Sequence, residues 1–203
     1  MKKIILIATS AFIAQTASAQ LTIAPELGFQ MSKVVVKPSE SNDFKPSFRL
    51  GANFDMGLTD NIHLQFGAFY SGKGAKESAN GATAKLGLNY LEVPVYVNYM
   101  TGKAGGNRFF AGVGPYFGYC LGGTLKVSGF DDAKLKVGSD AANDDIKPLD
   151  LGINLNAGYL LSNNIYVRAQ YGMGLMNNVP GGNSDASRKN AGFAISFGYN
   201  FGL

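Results

Sequence analysis

The chain has 203 residues, 46% of them hydrophobic, a formal net charge of +4 and a single cysteine, Cys120. This length suffices for one domain with a sizeable core, the lone cysteine excludes an intrachain disulfide, and the weak charge gives no indication of a nucleic-acid partner. The 27 glycines, 14 phenylalanines and 10 tyrosines favour strands, tight turns and aromatic girdles.

The first nineteen residues read as a leader that precedes the folded domain. A basic start, Met1-Lys2-Lys3, is followed by an apolar run over residues 4–13 and by the small residues Ala17-Ser18-Ala19. This is the pattern of a secretory signal peptide. The apolar run is too short for a membrane-spanning helix, which needs about 20 residues. We predict cleavage after Ala19, leaving a single domain over residues 20–203.

Downstream of the leader, apolar residues alternate with small or polar residues in eight segments. Alternation with period two is typical of strands that have one apolar and one polar face. The clearest case is the last segment, where every odd position from Ala191 to Leu203 is apolar. In chain order, the predicted strands are residues 21–32, 47–58, 62–72, 88–100, 109–121, 149–161, 165–176 and 191–203.

The connections between these strands alternate between long and short. Long polar loops are predicted at residues 33–46, 73–87, 122–148 and 177–190, and short turns at residues 59–61, 101–108 and 162–164. Inside the third long loop, residues 125–127 and 135–137 predict a further hairpin. Short periplasmic turns and longer extracellular loops are typical of outer-membrane barrels. The predicted fold is therefore all-β, an eight-stranded antiparallel up-and-down transmembrane β-barrel in the outer membrane.

Side-chain size indicates which face of the strands meets lipid. The apolar faces are bulky, whereas the other faces are rich in Gly, Asn and Gln. The interior of an eight-stranded barrel is only just wide enough for side chains, so the small and polar faces fit inside. A soluble lipid-binding barrel, with its apolar faces inside, is the competing interpretation. The charged and titratable side chains predicted in the lumen, where we expect carboxylate–guanidinium pairs that fill the barrel, are Glu26, Arg49, Asp55, His63, Glu92, Asp150 and Arg168.

Two runs on neighbouring strands resemble a known family. Tyr90-Leu91-Glu92-Val93-Pro94 and residues 111–116, Ala-Gly-Val-Gly-Pro-Tyr, are similar to strands of the PorT-like outer-membrane β-barrel proteins of Bacteroidetes. The resemblance implies an eight-stranded barrel; functions in that family are mostly unassigned, so no site residue is implied. Pro94 and Pro115 each remove a backbone donor, which predicts a bulge or weakened pairing nearby.

The sequence predicts no catalytic residue, no cofactor site and no metal site. The only histidine, His63, is expected at the periplasmic end beside a partner such as Asp55, far from any outer-rim nucleophile. Cys120 is interpreted as a small wall residue, with a reactive thiol as the alternative. Five aspartates of the third long loop do not have EF-hand spacing, so we interpret them as solvated charges, with a calcium site as the alternative; they are Asp131, Asp132, Asp140, Asp144 and Asp145.

The end of the last strand resembles the carboxy-terminal insertion signal of outer-membrane barrels. The residues that carry this resemblance are Ser196, Gly198, Phe201 and Leu203, with leucine in place of the more usual terminal phenylalanine. The partners implied are outer-membrane lipid and the barrel-assembly machinery, and a monomer is expected. Our leading hypothesis is a non-enzymatic barrel with a structural role or with loops for recognition or adhesion, whose loop partner the sequence does not identify. A narrow porin-like channel or transporter component is the alternative, and the soluble lipid-binding barrel is third.

Overall fold

The computed structural model describes residues 21–37, 42–79, 81–182 and 187–202. The predicted leader and Leu203 lie outside these residues. In chain order, the strands are β1 (Leu21–Lys37), β2 (Lys45–Gly57), β3 (Ile62–Ala79), β4 (Ala82–Met100), β5 (Arg108–Val127), β6 (Ala133–Leu135), β7 (Leu149–Leu160), β8 (Ile165–Gly174), β9 (Ser187–Tyr199) and β10 (Phe201–Gly202).

Eight of these strands form a closed antiparallel ring. Each pairs with the next in the order β1, β2, β3, β4, β5, β7, β8 and β9, and β9 pairs with β1 from Glu26↔Gly198 to Lys37↔Ser187. The short β10 follows β9 and also pairs with β1, while β6 lies against β5. The predicted fold class is confirmed, including the pairing of the last strand with the first.

The connections between the strands lie at the two ends of the ring. Residues 58–61, 101–107 and 161–164 join strands at one end, which we call the turn end. The other end, which we call the loop end, carries the remaining connections. The hairpin predicted inside the third long loop is confirmed, because β6 pairs with β5 from Gly123↔Leu135 to Leu125↔Ala133.

Several predicted loops are shorter than expected. The prediction of a loop over residues 73–87 is wrong, because β3 and β4 stay paired out to Ala79↔Ala82. Likewise β1 continues to Lys37 and β9 begins at Ser187. In these extensions the alternation of large apolar with small or polar residues ends, although backbone pairing continues.

The apolar faces of the strands point out of the ring. Leu27, Phe29 and Phe197 expose 57%, 58% and 63% of their surface. A continuous belt of such residues far exceeds the apolar patches of soluble monomers. The arrangement is the reverse of a soluble lipid-binding barrel. In the described part of the chain, no helix is long and apolar enough to cross a membrane.

Glycines on the inner face let strands and lumen side chains approach closely. A Cβ atom on Gly114 would lie 1.7 Å from the Val95 carbonyl oxygen, and one on Gly198 would lie 2.3 Å from the Tyr166 ring.

The predicted weakening of strand pairing near Pro94 and Pro115 is confirmed. Pairing of β3 with β4 skips the positions between Phe66↔Val95 and Phe69↔Glu92, and pairing of β4 with β5 skips those between Pro94↔Tyr116 and Val97↔Val113.

Candidate functional site: the lumen and the loop end

The middle of the lumen is organised around the carboxylate of Glu26. Arg49 donates from Nη1 to Glu26 Oε1 over 2.7 Å, and both side chains are fully buried. The other oxygen, Oε2, accepts from the Tyr166 hydroxyl at 2.8 Å and from Asn53 Nδ2 at 2.9 Å. Arg168 Nη1 lies 3.6 Å from the same oxygen. One carboxylate therefore faces two guanidinium groups, which we call the central cluster.

Aromatic rings complete the surroundings of the two arginines. The Arg49 guanidinium carbon lies 3.9 Å from the Phe69 ring centre. That of Arg168 lies 5.4 to 5.5 Å from the rings of Tyr96, Phe110 and Tyr166. Such cation–π contacts are favourable where water is excluded. The central cluster therefore fills the cross-section with side chains from opposite walls.

A second cluster, which we call the Lys73 cluster, lies closer to the loop end and contains a lumen residue that the sequence alone does not predict. Lys73 Nζ lies 2.7 Å from Glu92 Oε2 and 3.2 Å from Asp150 Oδ2. Asp150 Oδ2 also accepts from the Tyr116 hydroxyl at 3.2 Å and from Asn190 Nδ2 at 2.9 Å. The expected carboxylate–guanidinium pairing therefore applies to Glu26, whereas the other two buried carboxylates pair with a lysine.

The predicted loop over residues 73–87 includes Lys73, although its odd position on β3 matches that of the lumen-facing residues Phe69 and Ser71. Phe69, Ser71 and Lys73 continue the inward positions of β3, and all are buried. The useful signal is thus the two-residue period extended past the last large apolar residue.

A single line of directly paired backbone positions, running across the strands, carries the three buried carboxylates Glu26, Glu92 and Asp150. Asp150 pairs with Gly118, which pairs with Glu92. The row continues on β3, β2 and β1 through Phe69, Gly51 and Glu26. Because barrel strands are tilted, such a row climbs along the barrel axis. The two clusters are therefore steps of one network at different heights.

A cavity of ≈ 830 Å³ occupies the turn end. The predicted neighbours Asp55 and His63 lie in it, with 2.6 Å between Asp55 Oδ1 and His63 Nδ1 and side chains 13% exposed. The inner limit of the cavity is formed by Tyr166 and Arg168. The lumen is thus open to this point and filled beyond it.

An apolar cluster closes the opposite end. Ile146, from the connection between β5 and β7, is fully buried against Leu88, Tyr90 and Cys120. Cys120 therefore lies in the wall of a packed cluster. Its Sγ lies 3.6 Å from the Gly122 carbonyl oxygen.

Acidic residues of the connection between β6 and β7 accept hydrogen bonds from other residues of the same loop region. The Ala142 backbone N–H and the Asn143 side-chain amide donate to Asp140 and lower the pKa of its carboxyl group. Asp145 accepts from the Lys136 backbone N–H at 2.8 Å. Within the described ranges, no group of three or more His, Cys, Asp or Glu side chains is placed to hold a metal ion.

The residues of the predicted insertion signal lie along the seam that closes the ring. Ser196 is fully buried opposite Gly28, and Gly198 lies against Tyr166. Phe201 is 49% exposed on the outer face and pairs with Ile23. Leu203 is not among the described residues.

Comparison with known proteins identifies the class. Residues 13–179 match the family described as outer membrane protein beta-barrel domain. The chain belongs to this family, and its location is the outer membrane. No curated protein matches the chain.

Solved structures with a similar chain trace include three outer-membrane proteins. Ail, the attachment invasion locus protein of Yersinia pestis, is 12% identical, with 90% of this chain and 99% of that chain covered and a TM-score of 0.49. OprG from Pseudomonas aeruginosa is 13% identical, with 93% and 99% covered and a TM-score of 0.48. The outer membrane enzyme PagL is 13% identical, with 86% and 98% covered and a TM-score of 0.49. Similarity this low carries no information on function.

Proposed function

We propose that this protein is a closed, non-catalytic barrel that holds a rigid recognition surface at the loop end, outside the cell. The observation that carries the proposal is the filled lumen. Arg49 and Arg168 are among the largest fully buried side chains of the molecule. They lie where a channel would need its open path.

The arrangement of the lumen supports closure at three successive heights. The central cluster, the Lys73 cluster and the Ile146 contacts follow one another toward the loop end. Between the first two lies a cavity of only ≈ 30 Å³, lined by Lys73, Glu92 and Gln170 among others. That volume holds about one water molecule.

The loop end supports the recognition role, because its extensions are strands. The β3–β4 hairpin and the β5–β6 hairpin continue the wall beyond the apolar belt. Leu86, Leu135 and Val137 pack on the Ile146 cluster and anchor them to the barrel. Pre-ordered surfaces bind with a smaller entropy cost than mobile loops. Phe130, 78% exposed at the tip of the β5–β6 hairpin, is one candidate contact for a partner.

Reconstitution tests closure directly. The purified protein in liposomes should give no sugar-driven swelling above protein-free vesicles, and planar bilayers should show no steady conductance. The turn-end cavity is the feature that favours the alternative, a narrow channel or transporter component. Stable conductance by the unmodified protein would establish that alternative and refute closure.

The remaining expectations complete the proposal. We infer that the protein is related to the PorT-like barrels, that it is exported with cleavage after Ala19, and that it is inserted as a monomer by the barrel-assembly machinery into outer-membrane lipid. Intact-mass measurement of the protein from outer membranes tests export, since a mature chain beginning at Gln20 is expected. A mass that still includes residues 1–19 would contradict this cleavage.

A further inference from the structure

Three lysines form a row across the outer wall at the loop end. Lys76 on β3 pairs directly with Lys85 on β4, and Lys85 pairs with Lys126 on β5. Directly paired residues project from the same face of a sheet. On β4 that face also carries Leu91, whose side chain belongs to the lipid-facing belt. The row therefore faces away from the barrel.

This arrangement is unfavourable by itself, because like charges placed directly opposite one another on paired strands repel. Lys45 adds to the repulsion, since it lies beside Gly87 and its charge interacts with that of Lys85. Among the described residues, Lys126 has an ion pair, with the exposed Asp132. Asp43 is bridged to Lys76 by backbone hydrogen bonds without an ion pair between the two side chains, and within the described residues no carboxylate forms an ion pair with Lys85. We call Lys45, Lys76, Lys85 and Lys126 the lysine row.

The height of the row narrows the choice of ligand. Its members on β3 and β4 lie six residues beyond the belt residues Tyr70 and Leu91, which pair with each other. Six residues rise about 20 Å along a strand and, at a tilt of about 40°, about 15 Å along the barrel axis. Phospholipid head groups extend only about 5 to 8 Å beyond the hydrocarbon core. The row thus lies above them.

Between the apolar belt and the lysine row, the outward-facing side chains of the wall are small or polar. Its outward positions on β4 and β5 include Gly87, Asn89, Gly122 and Thr124, none of which has a large side chain. A sugar ring can lie against such a surface without steric obstruction, and its hydroxyls can bond to the polar groups there.

We propose that the lysine row binds the phosphorylated saccharide head group of a glycolipid in the outer leaflet. Phosphates placed between the ammonium groups would remove the repulsion across the strands. Lysine suits this role as a flexible point charge that does not need bidentate geometry. The proposal goes beyond loop recognition and depends only on the loop end facing outward.

The test uses the full-length protein in nanodiscs that contain purified lipopolysaccharide in phosphatidylcholine, with bound lipid counted by native mass spectrometry. The variant Lys76→Gln/Lys85→Gln should retain the lipid at least about tenfold less well, given the usual contribution of each lysine near an anionic membrane surface. Lys103→Gln is the control, because this exposed lysine lies in a connection at the turn end, away from the row, and its retention should equal that of the unmodified protein. Lys76→Arg/Lys85→Arg should preserve retention.

Two further lipids in the same experiment distinguish a phosphorylated saccharide from other lipids. Dephosphorylated lipopolysaccharide and phosphatidylglycerol should both be retained poorly. Equal retention of either, displacement of the lipid by millimolar inorganic phosphate, or unchanged retention in the glutamine variant would overturn the proposal. Heat-modifiable gel migration verifies folding of each variant; if the glutamine variant fails to fold, Lys85→Gln alone serves, with an intermediate loss expected.

Discussion

At the scale of single residues, Glu26 has the most demanding position in the molecule. It is the carboxylate that both central arginines face, and all three side chains are buried. Replacing it by glutamine leaves two buried guanidinium groups without the carboxylate that they share. Breaking a buried ion pair in this way typically costs about 3 to 5 kcal/mol. We expect Glu26→Gln to lower the free energy of unfolding by that amount, as measured by urea titration in lipid vesicles.

The control for this measurement is Glu77→Gln in the β3–β4 hairpin. Glu77 is exposed, and exposed charges contribute little to stability. A loss below about 1 kcal/mol in Glu26→Gln, no larger than in this control, would mean that water or a neighbouring group replaces the carboxylate.

Lys73 supports a second residue-scale prediction. Lys73→Met keeps much of the side-chain volume but leaves Glu92 and Asp150 facing each other without the ammonium group. Like charges in one buried site repel, and a lone buried charge is costly. We expect a loss of about 3 kcal/mol in the same unfolding titration. Lys85→Met, at an exposed position, should be neutral or slightly stabilising without glycolipid, since it relieves repulsion; equal losses in the two variants would contradict the assignment of Lys73 to the lumen.

At the scale of elements, the sequence predicted the barrel strands well and their ends poorly. Each barrel strand alternates between lipid and lumen, so large apolar side chains mark every second position, as in residues 191–199. Above the belt that contrast disappears, and Lys76, Lys85 and Lys126 look like loop residues although they lie in strands. The contact of Lys73 with Asp150 was likewise unpredictable, because it joins residues 77 positions apart through the curvature of the wall.

The proline gaps give an element-scale prediction. Around Pro94 and Pro115 the ladders of β4 with both neighbours are interrupted, whereas the ladder of β5 with β7 runs unbroken through Pro115↔Ile153. Amides without a ladder partner open at lower cost. We expect the amides of Val95 and Tyr96 to exchange with deuterium faster than those of Ile153 and its neighbours, measured by NMR of the protein in detergent micelles. Equal protection on both sides of β5 would show that the gaps are bridged.

The seam between β9 and β1 gives a second element-scale prediction. Phe201 is the outward aromatic residue of β10, and it pairs with Ile23 at the start of β1. Deleting residues 201–203 removes these last pairs and the aromatic anchor, so the heat-modifiable form should disappear from the membrane fraction. Phe130→Ala, at an exposed loop tip, is the control and should insert normally. Normal insertion of the truncated chain would refute the insertion-signal assignment.

At the scale of the whole molecule, the filled heights of the lumen act as barriers in series. Closure then persists when one barrier is removed, because the next still fills the cross-section. The central cluster is removed by Glu26→Ser/Arg49→Ser/Arg168→Ser, and the loop-end barriers by Lys73→Ser/Glu92→Ser/Asp150→Ser/Ile146→Ser. Each set takes out interacting partners together, which is less costly than leaving one of them unpaired.

We expect each set alone to stay closed in planar bilayers and the combined variant to conduct, because only the combination removes the side chains of these barriers at all three heights. Lys126→Ser/Asp132→Ser, which removes an exposed ion pair, controls for changes in surface charge and should stay closed. Heat-modifiable migration must show that each barrel is folded before its conductance is compared. Conductance in the variant of one set equal to that of the combined variant would mean that a single barrier closes the lumen. A closed combined variant would mean that the backbone itself is too narrow, since an eight-stranded barrel has an interior just wide enough for side chains.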